Sequence, residues 1–307
     1  MRLQSTTKDR GSVSGHRMPR LRWAAVAVLL LAGPWLSAQA PAGGPTNANK
    51  PMKPFRVIGN IYWVGLTDHG AFLLTTPQGD ILLDTTIQKT APFVRDSIEE
   101  LGFQLRDVKI IIGTHSHADH TGATAYFKEL TGAQVLWSAP DATVMADGGR
   151  SDFREDGSEQ FKPIKPDRTI RDGEEVRLGG VTLVAHLTPG HTKGCTTWTT
   201  VVEDSGKKYN AVFMCGVDAV GRVPLLHNAK YPNIAEDFAK SFTVLKSLPC
   251  EVFLYTRADT IRLEEKRKLL EQGAKPNPFI DPKGCRDYIA EREKFYLDKL
   301  AQERGTR

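Results

Sequence analysis

Apolar positions change period repeatedly along this chain, and the changes divide it into elements. Residues 56–64, 71–75 and 80–85 are rich in β-branched and aromatic side chains and predict three opening strands. Residues 91–101 carry apolar side chains at helical spacing between Thr90 and a Gly102 stop, which predicts a helix. Residues 108–112, apolar except for Lys109, predict a mostly buried strand. A helix at 123–130, a short strand at 134–137 and the first turns of a helix at 140–145 follow. Residues 148–166 are polar with few apolar anchors and predict a long surface loop, a feature that in compact domains often carries function. Strand patterns return at 169–176, 181–187, 196–202 and 211–215; then come an amphipathic helix at 235–248, a strand at 251–255, and helices at 261–272 and 285–302.

Strands precede helices in each half, and the strand connections are mixed. That order favours two packed sheets with helices on their outer faces over a doubly wound parallel sheet. No glycine-rich phosphate loop is present, so nucleotide binding has no support. The 307 residues suffice for one large domain or two ordinary ones, with a substantial core in either case.

Composition changes this picture mainly at the N-terminus. The net charge of +5 lies wholly in residues 1–40, which hold six basic residues and one acidic one; the rest has 35 of each sign. A nucleic-acid or anionic-membrane surface is therefore not expected. A basic stretch ending at Arg22, an apolar run from Trp23 to Leu36, and Ala38 and Ala40 predict a secretory signal over 1–40, with Met18 an alternative start. Residues 41–54, rich in Pro, Gly and Asn, predict a flexible linker, and 55–307 the folded domain. Such a chain would be periplasmic or secreted, without stable membrane insertion after signal cleavage. Export makes Cys195, Cys215, Cys250 and Cys285 candidates for disulfides, with three pairings open.

The candidate chemistry is concentrated in Thr114–Gly122, THSHADHTG. Three of the chain's eight histidines, His115, His117 and His120, fall within six positions there, together with Asp119. Neutral imidazoles suit zinc, and an aspartate adds a hard anionic ligand. His115 and His117 alternate along an extended backbone and leave on one side. A third donor is available in His191, which follows a Pro-Gly turn in TPGHTKGC. Three histidines with one open position make the donor set of a hydrolytic zinc site. His186 lies in an apolar strand and is expected to bond locally. His69 is placed near a strand start, His227 in a loop, and Trp63, Trp137 and Trp198 in the core.

The order H-x-H-x-D-H followed by P-G-H-T-x-G resembles the metallo-β-lactamase superfamily. Residues 56–302 are similar to subclass 3 of the class B β-lactamases through TDHGAFLLTTPQGDILLDTT, GGRSDF, HTKGCTTWT, YPNIAEDFAKSF and SLPCEVFL. The resemblance implies an αββα sandwich, α+β in class, with metal at its open edge and one zinc held by His115, His117 and His191. A second zinc would be held by Asp119, His120 and a histidine soon after strand 251–255. It also implies a disulfide between Cys250 and Cys285. The activity implied is opening of the β-lactam ring of penicillins, cephalosporins or carbapenems by zinc-bound hydroxide, hence antibiotic resistance. Asp119 would orient the nucleophile or take its proton, and His120 would complete the second site.

The chain departs from that pattern at Arg257, which stands where the late histidine is expected; no histidine follows His227. A guanidinium has no lone pair to donate to a metal and repels a cation. Asp259 and Asp218 are weighed as substitute ligands. Arg257 could instead pair with Asp119 or receive a substrate carboxylate. Tyr255 and Phe153 are further candidates to face a small-molecule substrate. Two other functions stay open: hydrolysis of a lactone or thioester by the same fold, favoured by the change at 257, and zinc binding with little turnover.

Overall fold

The computed structural model describes residues 49–154, 160–218 and 223–305. The expected signal at 1–40 and most of the expected linker lie outside the described residues. Two sheets form the body. The seven-stranded sheet runs in chain order: β1 (Phe55–Ile58), β2 (Ile61–Trp63), β3 (Phe72–Thr76), β4 (Gly79–Leu83), β5 (Val108–Ile112), β6 (Gln134–Ser138) and β7 (Arg168–Ile170). Its first four strands are antiparallel neighbours and the last four parallel ones. Each parallel step needs a crossover. Helix α1 (Ala91–Glu100) supplies the first, α2 (Ala118–Thr121) and α3 (Thr124–Thr131) the second, and α4 (Ala139–Asp147) the third.

The second sheet contains β8 (Glu175–Leu178), β9 (Val181–Leu187), β10 (Thr196–Asp204) and β11 (Lys207–Phe213), all antiparallel in sequence. Its last strand, β12 (Val252–Leu254), pairs parallel to β11 after the crossover helix α5 (Ile234–Ser247). Helices α6 (Leu263–Glu271) and α7 (Pro282–Gly305) complete the chain.

Alternation along the strands decides what each face touches. Ile81, Leu83, Ile110, Ile112 and Leu136 enter the core shared with the second sheet. Their neighbours Leu82, Ile111, Val135 and Trp137 join Val94 and Ile98 of α1 and Phe127 of α3 on the opposite face. That double burial explains why β5 reads as continuously apolar. Between the sheets Trp63, Phe72 and Phe213 meet edge to face, with ring centroids 5.2 and 5.1 Å apart. Phe242 of α5 packs 5.6 Å from Tyr296 of α7, covering the second sheet.

Three predicted strands differ from the observed ones. The run 56–64 is a hairpin broken at Gly59, whose φ of +50° a β-carbon would strain and whose added Cβ would lie 2.6 Å from the carbonyl oxygen of Glu203. The run 169–176 contributes β7 to one sheet and β8 to the other, because the chain turns at Gly173, φ +75°. Strand β11 starts at Lys207, earlier than its apolar residues suggest. Ser205 and Gly206, both at positive φ, make a two-residue hairpin that extends backbone pairing beyond the core.

Candidate metal centre

Strands β4, β5, β9, β11 and β12 all end at one edge of the sandwich, and the segments after them carry the candidate chemistry. The sheets are stitched together there: Thr196 N–H donates to the Thr114 carbonyl at 2.8 Å and Trp198 Nε1 to that of Gly113 at 3.0 Å. Gly113 lets β5 pass under Trp137, since an added Cβ would lie 1.8 Å from that ring.

His115 and His117 are buried and His191 half-buried, and one ring nitrogen from each lies within 4.8 Å of the others. Outer contacts aim the rings. His115 Nδ1 meets Thr114 Oγ1 at 3.0 Å, and His191 Nδ1 meets the backbone carbonyl of Asp218 at 3.2 Å. The buried Nε2 atoms of His115 and His117 have no hydrogen-bond partner. Asp152 Oδ2 stands 3.1 Å from His117 Nε2 without making a hydrogen bond. Burial, reinforced by neighbouring positive groups, pushes His115 and His191 well below the ordinary histidine pKa, and burial also lowers His117. Three neutral imidazoles with convergent lone pairs fit a divalent metal.

Asp141, buried on α4, holds the two ligand-bearing loops to each other. Its carboxylate accepts Ser116 N–H at 2.9 Å, Gly194 N–H at 2.7 Å and Thr192 Oγ1–H at 2.9 Å. Burial raises its pKa to about 6 despite these donors. Asp84, after β4, accepts Thr114 N–H at 2.7 Å and contacts His120 Nδ1 at 2.8 Å. Sequence patterns gave neither carboxylate a role, because both act on residues remote in the chain.

Asp119 and His120 sit beside the three-imidazole cluster. His120 Nε2 lies 3.4 Å from Asp119 Oδ2. Burial depresses the His120 pKa, but Asp119 and Asp84 outweigh it and raise the group to about 9. Burial also works against the Asp119 carboxylate, yet His120, His69 and Arg257 hold it well below the usual range. Arg257 Nη2 is paired with Asp119 Oδ2, and its Nη1 contacts His69 Nε2. His69 is thus a site residue that the sequence pattern hid. It lies in the β2–β3 loop, bridged to Arg257 by backbone pairing. No spacing rule links residues 188 positions apart.

The remaining candidates separate clearly. Phe153 stacks edge to face on Tyr231, 5.0 Å between centroids, next to Asp152. Tyr255 is 4% exposed and packs 5.8 Å from Tyr288, so its ring belongs to the core and not to a substrate-facing surface. The Asp218 carboxylate accepts from Arg292 at 2.8 Å, leaving only its backbone carbonyl to the site. Asp259 is exposed, in a turn whose carbonyl takes Arg262 N–H at 3.0 Å. Neither replaces the late histidine. His186 bonds Thr199 Oγ1 at 2.8 Å, and the three tryptophans are buried. Disulfides join Cys195 to Cys215 and Cys250 to Cys285.

Comparison with known proteins places this geometry. The family model of the metallo-beta-lactamase superfamily matches residues 64–204. Among solved structures, the FEZ-1 metallo-beta-lactamase from Legionella gormanii is 40% identical, with a TM-score of 0.82 over 83% of this chain and 98% of that one. BJP-1, a subclass B3 metallo-beta-lactamase of Bradyrhizobium japonicum, is 33% identical, with a TM-score of 0.79 over 85% and 98%. A hydroxyacylglutathione hydrolase of Rhodopseudomonas palustris is 26% identical over 62% of each chain. The chain spans less than two thirds of the length of the curated relatives it matches first, from 26% to 62%. Two mixed sheets between helices, a histidine cluster at their edge, and 40% identity along nearly all of a solved member lead to one assignment: the chain belongs to the metallo-β-lactamase superfamily, whose members are metal-dependent hydrolases.

Proposed function

We propose that this protein is an exported zinc hydrolase that opens the β-lactam ring of penicillins, cephalosporins or carbapenems and thereby confers antibiotic resistance. The observation that carries the reading is the convergence of His115, His117 and His191, with donors within 4.8 Å of one another, in a chain 40% identical to a metallo-beta-lactamase. Zinc held by these three would lower the pKa of a water to about 7 and polarise the lactam carbonyl. Asp119 is too acidic to keep a proton, so its part is to orient the water. His120, between two carboxylates, keeps Asp119 in place. Arg257 is anchored on Asp119 yet 38% exposed in its side chain, and offers the substrate carboxylate a fixed cation where the resemblance implies a second zinc. Phe153, next to Asp152 and packed on Tyr231, is the aromatic ring proposed to meet the substrate.

Residues 1–40 act as the signal, 41–54 as the linker and 55–307 as the catalytic domain, delivered to the periplasm or secreted. Two disulfides suit an oxidising compartment. Among the described residues no helix is long and apolar enough to cross a membrane.

Rates on a penicillin, a cephalosporin, a carbapenem, a lactone and an acyl thioester, measured beside zinc content, test the proposal. Expected is β-lactam hydrolysis that disappears on chelation and in His117→Ala. Absence of β-lactam turnover alongside thioester turnover would overturn it in favour of a second reading, a thioesterase, which the hydroxyacylglutathione hydrolase relatives favour.

A further inference from the structure

His69 and Arg257 face each other across a short antiparallel bridge between the β2–β3 loop and the segment after β12. Gly70 N–H donates to the Thr256 carbonyl at 2.7 Å and Ala258 N–H to that of Asp68 at 3.0 Å, so the two segments are zipped on both sides of the pair. Directly opposed residues of such a bridge send their side chains to one face, with Cβ atoms about 5 Å apart. Thr256 Oγ1 is tied in turn to Asp84 Oδ2 at 3.1 Å, and Asn49 Oδ1 accepts the backbone N–H groups of Asp68 and His69 at 3.4 Å each. Both segments are thereby held by contacts that need no substrate.

Arg257 places Nη2 on Asp119 and Nη1 on His69 Nε2. A guanidinium carries donors only, so the imidazole accepts: its lone pair sits on Nε2 and its proton on Nδ1, 3.4 Å from Asp68 Oδ2. The ion pair with Asp119 alone would let the guanidinium pivot about that contact. The second contact, at the other Nη, fixes its plane. Recognition of a carboxylate by a guanidinium is planar and two-pronged, so the plane of the fork, and not its charge alone, sets how well the anion is received.

We propose that His69 is a positioning residue that sets the preference for carboxylate-bearing substrates, by holding the Arg257 guanidinium in the plane that receives the anion. His69 acts through Arg257 and does not touch the substrate. The proposal rests on the reading of Arg257 as the cation that receives the substrate carboxylate, and its test separates the two.

Steady-state rates on a carboxylate-bearing β-lactam and on its methyl ester give the test, read as the acid-over-ester ratio of kcat/KM. His69→Leu, which fills the space without an acceptor, should lower that ratio about tenfold through KM and not kcat, the size expected of one lost hydrogen bond to a charged group. His69→Ala should repeat the result. His69→Gln restores an acceptor and should recover the ratio to within about threefold of the native value. In an Arg257→Ala background His69→Leu should change the ratio no further, because a residue that acts through another has nothing left to act on. Bound zinc, counted by elemental analysis, reports that each variant keeps the three-histidine site. A ratio unchanged in both His69→Leu and His69→Ala, a loss carried by kcat, no recovery in His69→Gln, or a further loss in the Arg257→Ala background would overturn the proposal. A ratio indifferent to Arg257→Ala would overturn the reading of Arg257 itself, and a native chain without β-lactam turnover the proposed function.

Discussion

Where the resemblance implies a metal ligand, Arg257 gives the chain a positive charge of its own. Its planar fork matters as much as the charge: one arm is committed to Asp119 and another to His69. Arg257→Lys keeps the charge but cannot hold that geometry. Steady-state kinetics on a carboxylate-bearing β-lactam should show KM raised about tenfold with kcat largely kept, the signature of lost uniform binding. A second residue-scale effect lies far from the site. Asp80, at the start of β4, is 4% exposed, and burial raises its pKa to about 6. A carboxyl with a raised folded pKa keeps its proton in the native state where the unfolded chain has lost it. Stability from this group thus falls as pH rises from about 4 to about 6 and stays lost above. Urea titrations at pH 4.5 and 7.5 should find Asp80→Asn stabilising by about 1 kcal/mol at the higher pH and much less at the lower.

At the scale of elements, the link between α7 and the second sheet depends on one covalent tie. Cys285 in the first turns of α7 is joined to Cys250, just before β12, closing a loop of sequence separation 35. In the chain-entropy account that constraint is worth up to about 4 kcal/mol. Cys250→Ser should lower the melting temperature by several degrees with the zinc content unchanged, since no proposed zinc ligand lies in α7. Unaltered melting would mean that packing of α5 and α7 suffices. The elements also show what the sequence reveals and what it hides. Strands β3 to β6 and helices α1, α3 and α5 were legible because burial on one or two faces imposes a period. The split between β7 and β8 was not, because a chain that leaves one sheet for another keeps the same apolar pattern. The four-residue α2 was hidden too, since one helical turn has no period to detect.

For the molecule as a whole, legibility followed distance along the chain. His115, His117, Asp119 and His120 announce themselves as a local motif, and His191 follows from its Pro-Gly turn. His69, Asp84 and Asp141 meet the site only through tertiary packing, and single-sequence patterns carry no record of such meetings. Asp141 has the widest consequence. One buried carboxylate clamps the loop of His115 and His117 to the loop of His191 through hydrogen bonds of 2.7–2.9 Å that involve no metal. Folding and metal acquisition are then separable steps of maturation. Chelated protein should keep native circular dichroism, melt a few degrees lower by mass action alone, and recover its zinc within the mixing time. Under the export proposed above, a chain built this way would oxidise its cysteines and fold in a metal-poor compartment, then collect its ion later as a finished receptor.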